Sequence, residues 1–233
     1  MSEAGICSRR KAEIFLSEER VTINGVTAQL GDKADPEKDQ ISIDNYPILV
    51  KSKPKLILLN KPIGVITTCS DPYRRVTVLE LIPSVIRKGL HPVGRLDINS
   101  RGAILLTNNG MLTLELTHPR YSHSKTYQIW VEGVPSEAQI EKWRKGIMLD
   151  GKITRKAYIE LLKSEESKSL LKVELKEGRN RQIRRVAELL GHRVLDLQRT
   201  AIGPISLNGL KEGSWRELTK AEWSLLKVSR KSA

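Results

Sequence analysis

The chain has 233 residues, with 40 Lys and Arg against 27 Asp and Glu for a formal net charge of +13, and it is 39% hydrophobic and 29% charged. That balance excludes wholesale disorder, and no apolar run approaches the roughly 18 residues that a bilayer-crossing helix needs. Two cysteines, Cys7 and Cys69, are too few for a disulfide framework or a metal cage and point to a reducing, cytoplasmic compartment. The opening MSEAGICSRR lacks the apolar core of a secretory signal. Charge is unevenly spread: residues 1–50 hold 6 basic and 9 acidic side chains, residues 51–233 hold 34 and 18. A polyanion suits the second segment, because each Lys or Arg set against a phosphate releases counterions. A merely solubilising surface is the alternative.

In chain order, Ser8 caps a predicted helix running to about Glu19, with Ala12, Phe15 and Leu16 as its apolar stripe. Arg9, Arg10 and Lys11 crowd its first turn, where positive charge opposes the helix dipole, which suggests an anionic partner or else a merely exposed first turn. Asn24-Gly25 between residues 21–23 and 27–29 predicts a two-residue hairpin, and residues 41–43 a further strand. The segment 46–54, with Pro47 and Pro54, reads as a linker, so domains are expected at 1–49 and 54–229.

Beyond it, strands are predicted at 56–59 and 65–68, a polar loop at 70–75 and a short helix near 78–81. A strand over 124–131 alternates, putting Lys125, Tyr127, Ile129 and Val131 on one face. Ser136 with Gln139 opens a helix that Gly146 ends. Strands at 157–162 and 170–175 precede a helix over 181–190, capped by Asn180 and closed by Gly191. Strand signals return at 193–198, 204–207 and 215–218, and Thr219 with Glu222 forms a capping box for a last helix. Strands outnumber helices without strict alternation, which argues for an α+β fold over a doubly wound parallel sheet.

No GxxxxGK[ST], GxGxxG or HExxH motif is present, and His91, His118, His123 and His192 have no metal-ligand spacing. The segment 93–102, VGRLDINSRG, sets Asp97 between Arg95 and Arg101. Asp97 is either a turn residue satisfying backbone amides or an ionised carboxylate able to act as nucleophile or base. In 176–193, KEGRNRQIRRVAELLGHR, Ile183, Val186, Ala187 and Leu190 form a buried stripe. Arg179, Arg181, Arg184, Arg185 and Arg193 are too many for one solvated face; some suit phosphates and some a carboxylate. Tyr127 suits either base stacking or core packing.

The run GRLD-x-x-[ST]-x-G, the KTY strand and GRNRQIRR, in that order, resemble the ribosomal RNA pseudouridine synthases, specifically the single-site (RsuA-like) branch that carries an S-four RNA-binding domain. SRRKAEIFLSEERVTING is similar to the S-four helix and hairpin, LNKPIGVITT to the first catalytic strand pair, and GPISLNGLKEGSWRELTKAE to the closing segment. The resemblance implies a small, N-terminally short S-four-like RNA-binding domain of helix plus hairpin, then a mixed, largely antiparallel catalytic sheet. It implies Asp97 as the nucleophile, Tyr127 against a flipped base and Arg184 paired with the carboxylate. Arg9, Arg10, Lys11, Arg95, Lys125, Arg179, Arg181 and Arg185 are the expected RNA contacts. Uridine-to-pseudouridine isomerisation involves neither redox nor phosphoryl transfer, so no cofactor is expected. The expected partner is ribosomal RNA, with no membrane, and the enzyme is expected to be monomeric. Asn109 stands where the family usually has Asp, with a structural effect only. The competing readings are a non-catalytic RNA-binding or ribosome-assembly factor on the same fold and, more weakly, a DNA-binding protein, for which no helix-turn-helix or zinc-finger pattern appears.

Overall fold

Helix α1 (Arg9–Ser17) starts where Ser8 leaves helical backbone and its side chain accepts from the Lys11 amide at 3.2 Å. The computed structural model describes the chain apart from residues 3, 5, 36–37, 49–52, 119–122 and 229–233. After α1, strands β1 (Val21–Ile23), β2 (Val26–Thr27), β3 (Ile41–Ile43) and β4 (Tyr46–Pro47) form a separate sheet in the order β2-β1-β3-β4. Asn24 and Gly25 both have positive φ, as a two-residue hairpin turn of this hand requires, and they set Ile23 opposite Val26. Pairing therefore begins at Val26, one residue before the expected start.

Asp44 and Asn45 make a second such turn, which converts the expected start of the linker into β4. Of the rest of that segment, 49–52 lie outside the described residues. Arg20 donates to both Asp44 carboxylate oxygens at 2.8 and 2.6 Å and sits over the Phe15 ring, tying helix to turn.

The second sheet has nine strands. Its path runs β11 (Tyr158–Ser164), β12 (Lys168–Leu175), β8 (Lys125–Glu132), β13 (Val194–Ile202), β7 (Arg101–Thr107), β5 (Leu56–Lys61) and β15 (Trp215–Glu217), with β6 (His91–Val93) on β7 and β14 (Ile205–Ser206) on β13. All its described pairings are antiparallel except β13 with β7, as an α+β reading expects.

Strands β5 and β7 are buried on both faces. Leu56, Leu58, Ala103 and Leu105 pack with Leu112 and Leu116 of α3 (Gly110–Thr117) and Leu226 of α6 (Lys220–Val228). Ile57, Leu59, Ile104 and Leu106 pack with Val65, Val78, Ile82 and Leu90. Strands β8 and β12 alternate instead: Tyr127, Ile129, Val131, Leu171 and Val173 bury against Ile140 and Trp143 of α4 (Glu137–Lys145) and Ile183 and Val186 of α5 (Gln182–Leu189), while Gln128 is exposed. No helix of the described residues is long and apolar enough to cross a membrane.

Several local expectations yield to longer-range contacts. Residues 65–68 form only an isolated bridge, Ile66 to Thr77; the Thr67 hydroxyl donates to the Leu96 carbonyl and the Thr68 hydroxyl to that of Ser70. The helix expected near 78–81 is a series of turns, and helix α2 (Ser84–Arg87) follows Pro83, which is disfavoured in a helix interior. Asn109, which stands where the family usually has Asp, caps the unforeseen α3 by accepting from the Leu112 amide. The hairpin of β9 (Met148–Leu149) and β10 (Lys152–Ile153) is also new. Helix α5 has no Asn180 cap: Arg181 holds the N-cap position in left-handed conformation, φ 48, ψ 31, without a side-chain cap bond. Both expected capping boxes form, at Ser136–Gln139 and Thr219–Glu222.

The parallel contact fixes one glycine. A Cβ on Gly102, at φ +110, would lie 2.2 Å from the Arg199 carbonyl oxygen and 2.7 Å from its nitrogen. Gly102→Ala is expected to cost roughly 3 kcal/mol or more, from overpacking against backbone plus backbone strain. Urea unfolding measures it, and a loss below about 1 kcal/mol would mean that β13 gives way easily.

Candidate active site

Strand β6 ends at Val93, Gly94 turns at φ 74, and residues 95–100 loop back into β7. Within that loop every backbone carbonyl from 96 to 100 has a donor, and each donor comes from a different place. Leu96 O accepts from Thr67 Oγ1 at 2.8 Å, and Asp97 O from the Ser100 amide at 3.0 Å. Ile98 O accepts from the Gly64 amide at 2.9 Å, Asn99 O from Arg184 Nη2 at 2.7 Å, and Ser100 O from Lys61 Nζ at 2.7 Å. Leu96 and Ser100 are buried, while the Asp97 side chain keeps 40% of its exposure. The loop is thus anchored on both sides of one carboxylate that remains reachable.

That carboxylate opens onto a cavity of about 550 Å³ lined among others by Arg95, Lys125, Tyr127, Arg181, Arg184 and Arg199. Its described walls carry eight Lys or Arg and two carboxylates, Asp97 and Glu177. Such a bowl favours a polyanion.

The arginines divide differently from expectation. Arg181 Nη1 lies 3.5 Å from Asp97 Oδ2, the nearest cation contact of the carboxylate. Arg184 does not touch Asp97; its Nη1 donates to Val194 O at 3.3 Å and its Nη2 to Asn99 O. The left-handed Arg181 holds the N-cap position ahead of α5, whereas Arg184, one turn later, braces the loop backbone. Burial, then the neighbouring Arg181, push the Arg184 guanidinium below its usual range, with Asp97 and Asp196 opposing.

Arg185, expected at a phosphate, is held bidentately by Asp150 at 2.8 and 2.5 Å and is not on the cavity wall. Arg179, also expected on RNA, donates to the carbonyls of Leu149, Lys152 and Ile153 at 2.7–3.1 Å and so clamps the β9–β10 hairpin to the site. Arg9, Arg10 and Lys11 lie on the exposed first turn of α1, away from the cavity wall. Arg95, Lys125 and Tyr127 are brought together there as expected.

Lys61 was not foreseen. It ends β5 with no exposed surface, donating to the Ser100 and Pro62 carbonyls at 2.7 and 2.8 Å. Burial pushes its pKa down to about 8, against the pull of Asp97 and Glu212 and helped by the like charge of Arg199. The only sequence hint is a lysine closing an otherwise apolar strand, LILLNK, which periodicity cannot distinguish from an exposed strand end.

The chain belongs to the RNA pseudouridylate synthase family, whose model matches residues 55–189; it is an enzyme that isomerises uridine in RNA. It is 39% identical over 228 residues to an uncharacterised RNA pseudouridine synthase of Aquifex aeolicus, covering 97% of this chain and 91% of the relative. To ribosomal large subunit pseudouridine synthase B of Bacillus subtilis it is 37% identical over 231 residues, covering 98% and 93%. A solved pseudouridylate synthase crystal structure superposes with a TM-score of 0.71 at 28% identity, over 97% of this chain and 96% of that one.

The buried lysine makes stability depend on pH. Its folded pKa lies below the unfolded value of 10.5, so between about pH 8 and 10.5 the unfolded chain binds more protons and stability rises with pH. Relative to Lys61→Met, the wild type is expected to gain up to about 3 kcal/mol across that window. Denaturant titrations of both proteins from pH 7.5 to 10 measure the difference; a flat one refutes the assignment. Arg179→Ala is expected to cost roughly 2–3 kcal/mol, through lost charge-assisted bonds to three carbonyls. It should leave the salt slope of RNA binding unchanged, whereas a slope lowered by about one unit would return Arg179 to the phosphate contacts.

Proposed function

We propose that the protein converts a uridine of ribosomal RNA to pseudouridine, with Asp97 as the reacting carboxylate. The observation that carries this reading is a single reachable carboxylate on an immobilised loop, set in a cationic cavity beside buried Tyr127. The Bacillus subtilis relative is named for the large ribosomal subunit, which supports a large-subunit RNA as the target.

The reaction breaks the bond from N1 to ribose C1′, turns the uracil about, and joins C5 to C1′; the proton that leaves C5 is balanced by one gained at N1. Asp97 acts at the ribose, by attack at C1′ or through a glycal, and both routes need a carboxylate beside the sugar. Arg181 supplies the nearby counter-charge. Tyr127 faces the base of the flipped nucleotide from the cavity wall. Unstacking the uridine costs a few kcal/mol, which the surrounding cations and aromatic contact offset.

The unit of α1 and β1–β4 acts as an S-four-like grip on the RNA, supported by exposed Arg9, Arg10 and Lys11 with no acid in that turn. Domains at 1–49 and 54–229 belong to the same reading, supported by the separation of the four-stranded from the nine-stranded sheet. A monomer working in the cytoplasm is part of the same reading, the compartment being supported by the presence of only two cysteines.

Asp97→Asn tests the proposal. The near-isosteric amide should abolish pseudouridine formation, by at least about a thousandfold, while leaving RNA affinity and thermal stability close to wild type. Pseudouridine mapping of ribosomal RNA from cells with and without the protein names the target. Substantial product from the purified variant would refute the role of Asp97.

A further inference from the structure

Arg199, at 4% exposure on β13, is the most enclosed cation of the cavity wall. Its Nε donates to the Ala103 carbonyl at 2.6 Å, while Nη2 is shut away from solvent with no hydrogen-bond partner. The β8–β13 register sets Arg199 directly opposite Tyr127. Half-buried Lys125 lines the same cavity and shares the Tyr127 face of β8, and its Nζ donates only to the His123 carbonyl at 3.0 Å among the described residues. Burial, then the Arg199 charge, push the Lys125 pKa down.

Among the described residues neither cation has a carboxylate within ion-pair distance. The acids of the cavity are engaged elsewhere: Asp97 with Arg181, and Glu177 with Gln182 and Arg179. Enclosed cations that repel each other and lack a counter-ion are costly to fold. Before its glycosidic bond breaks, a uracil ring offers two neutral carbonyls and an N3–H, and no charge. The chain that carries it brings one negative charge with every nucleotide.

We propose that Lys125 and Arg199 form an internal anion subsite that takes a phosphodiester of the substrate strand next to the flipped nucleotide. This deepens the RNA-isomerase reading and rests on it. The RNA supplies the counter-charge that both side chains lack, so seating the nucleotide and neutralising the site are one event. The subsite differs from the exposed arginines of the rim: it acts only on the nucleotide that enters, so it contributes to commitment of the target uridine more than to capture of the RNA.

The test uses the full chain and short synthetic RNAs that carry the mapped target uridine, with the phosphodiester on its 5′ or 3′ side replaced by a neutral methylphosphonate. One replacement is expected to lower the wild-type single-turnover efficiency by about thirtyfold or more, as loss of a buried charge partner does. Lys125→Gln and Arg199→Gln should be slow on natural RNA and lose less than about threefold further on the neutral linkage. If Arg199→Gln fails to fold, judged by its thermal transition, Lys125→Gln decides alone. Equal losses in wild type and variant, or no loss in the wild type at either linkage, overturn the proposal. An independent arm needs no turnover: relative to sodium chloride of equal ionic strength, sodium phosphate should raise the melting temperature of the wild type more than that of Lys125→Gln, the general salting effect of phosphate being common to both. If no pseudouridine is formed in any RNA, the isomerase reading fails, and this arm decides the subsite by itself, equal shifts in the wild type and Lys125→Gln counting against it.

Discussion

The site depends on backbone carbonyls. Five consecutive peptide oxygens around Asp97 accept hydrogen bonds, and four of the donors come from outside the loop: Lys61, Gly64, Thr67 and Arg184. A loop with its acceptors unfilled would pay the desolvation of each one or reorganise toward solvent. Here instead the backbone is over-determined, and the carboxylate it carries needs no partner of its own to hold it in position. This separation of duties explains why Arg184 serves the peptide chain while Arg181 faces the reactive group. It also explains a fully buried lysine on β5 beneath the loop. Its ammonium satisfies two carbonyls in a place where an apolar side chain of similar length, such as methionine, has no hydrogens to give.

The electrostatics follow from the same arrangement. Lys61, Arg184 and Arg199 hold the loop and its strand from below, and their charge remains as a positive floor under the cavity. Cations recruited to brace a backbone thus also prepare the site for a polyanion. A bowl with eight basic and two acidic side chains would be self-repelling if each cation were left to itself; most are instead tied to carbonyls or carboxylates, as Arg179 is to a hairpin and Arg181 to Asp97. The bracing cations are ordered before any ligand arrives, so little side-chain entropy remains to be lost on binding.

What could be read from the sequence was what is local. The Ser8, Ser136 and Thr219 caps, the Asn24-Gly25 turn, the alternation of β8 and the buried stripe of α5 each depend on residues a few positions apart, and all were legible. The motif segments brought Asp97, Tyr127 and the arginines to attention together. The roles within the cluster were not legible, because they are settled by partners about 30 to 85 residues away, such as Thr67 with Leu96 or Arg184 with Asn99. Asn109 shows a different difficulty: the same side chain suits a turn or a helix cap, and only packing of Leu112 and Leu116 decides between them. Residues 65–68 had a strand-like composition, yet their polar groups went to the neighbouring loop.

The parallel contact between Gly102 and Arg199 has a kinetic meaning as well. It joins β7 to β13, whose side-chain bond from Arg199 to Ala103 spans 96 positions of the chain. Contacts of such separation form slowly, because the intervening chain must first lose its freedom. β5 and β6 can pair with β7 from nearby sequence, and β11, β12 and β8 can assemble among themselves. The reactive loop lies at the seam between these two halves, with Arg184 reaching it from one and Lys61 from the other. The complete site therefore needs both halves: without one the loop loses Arg184, and without the other it loses Lys61.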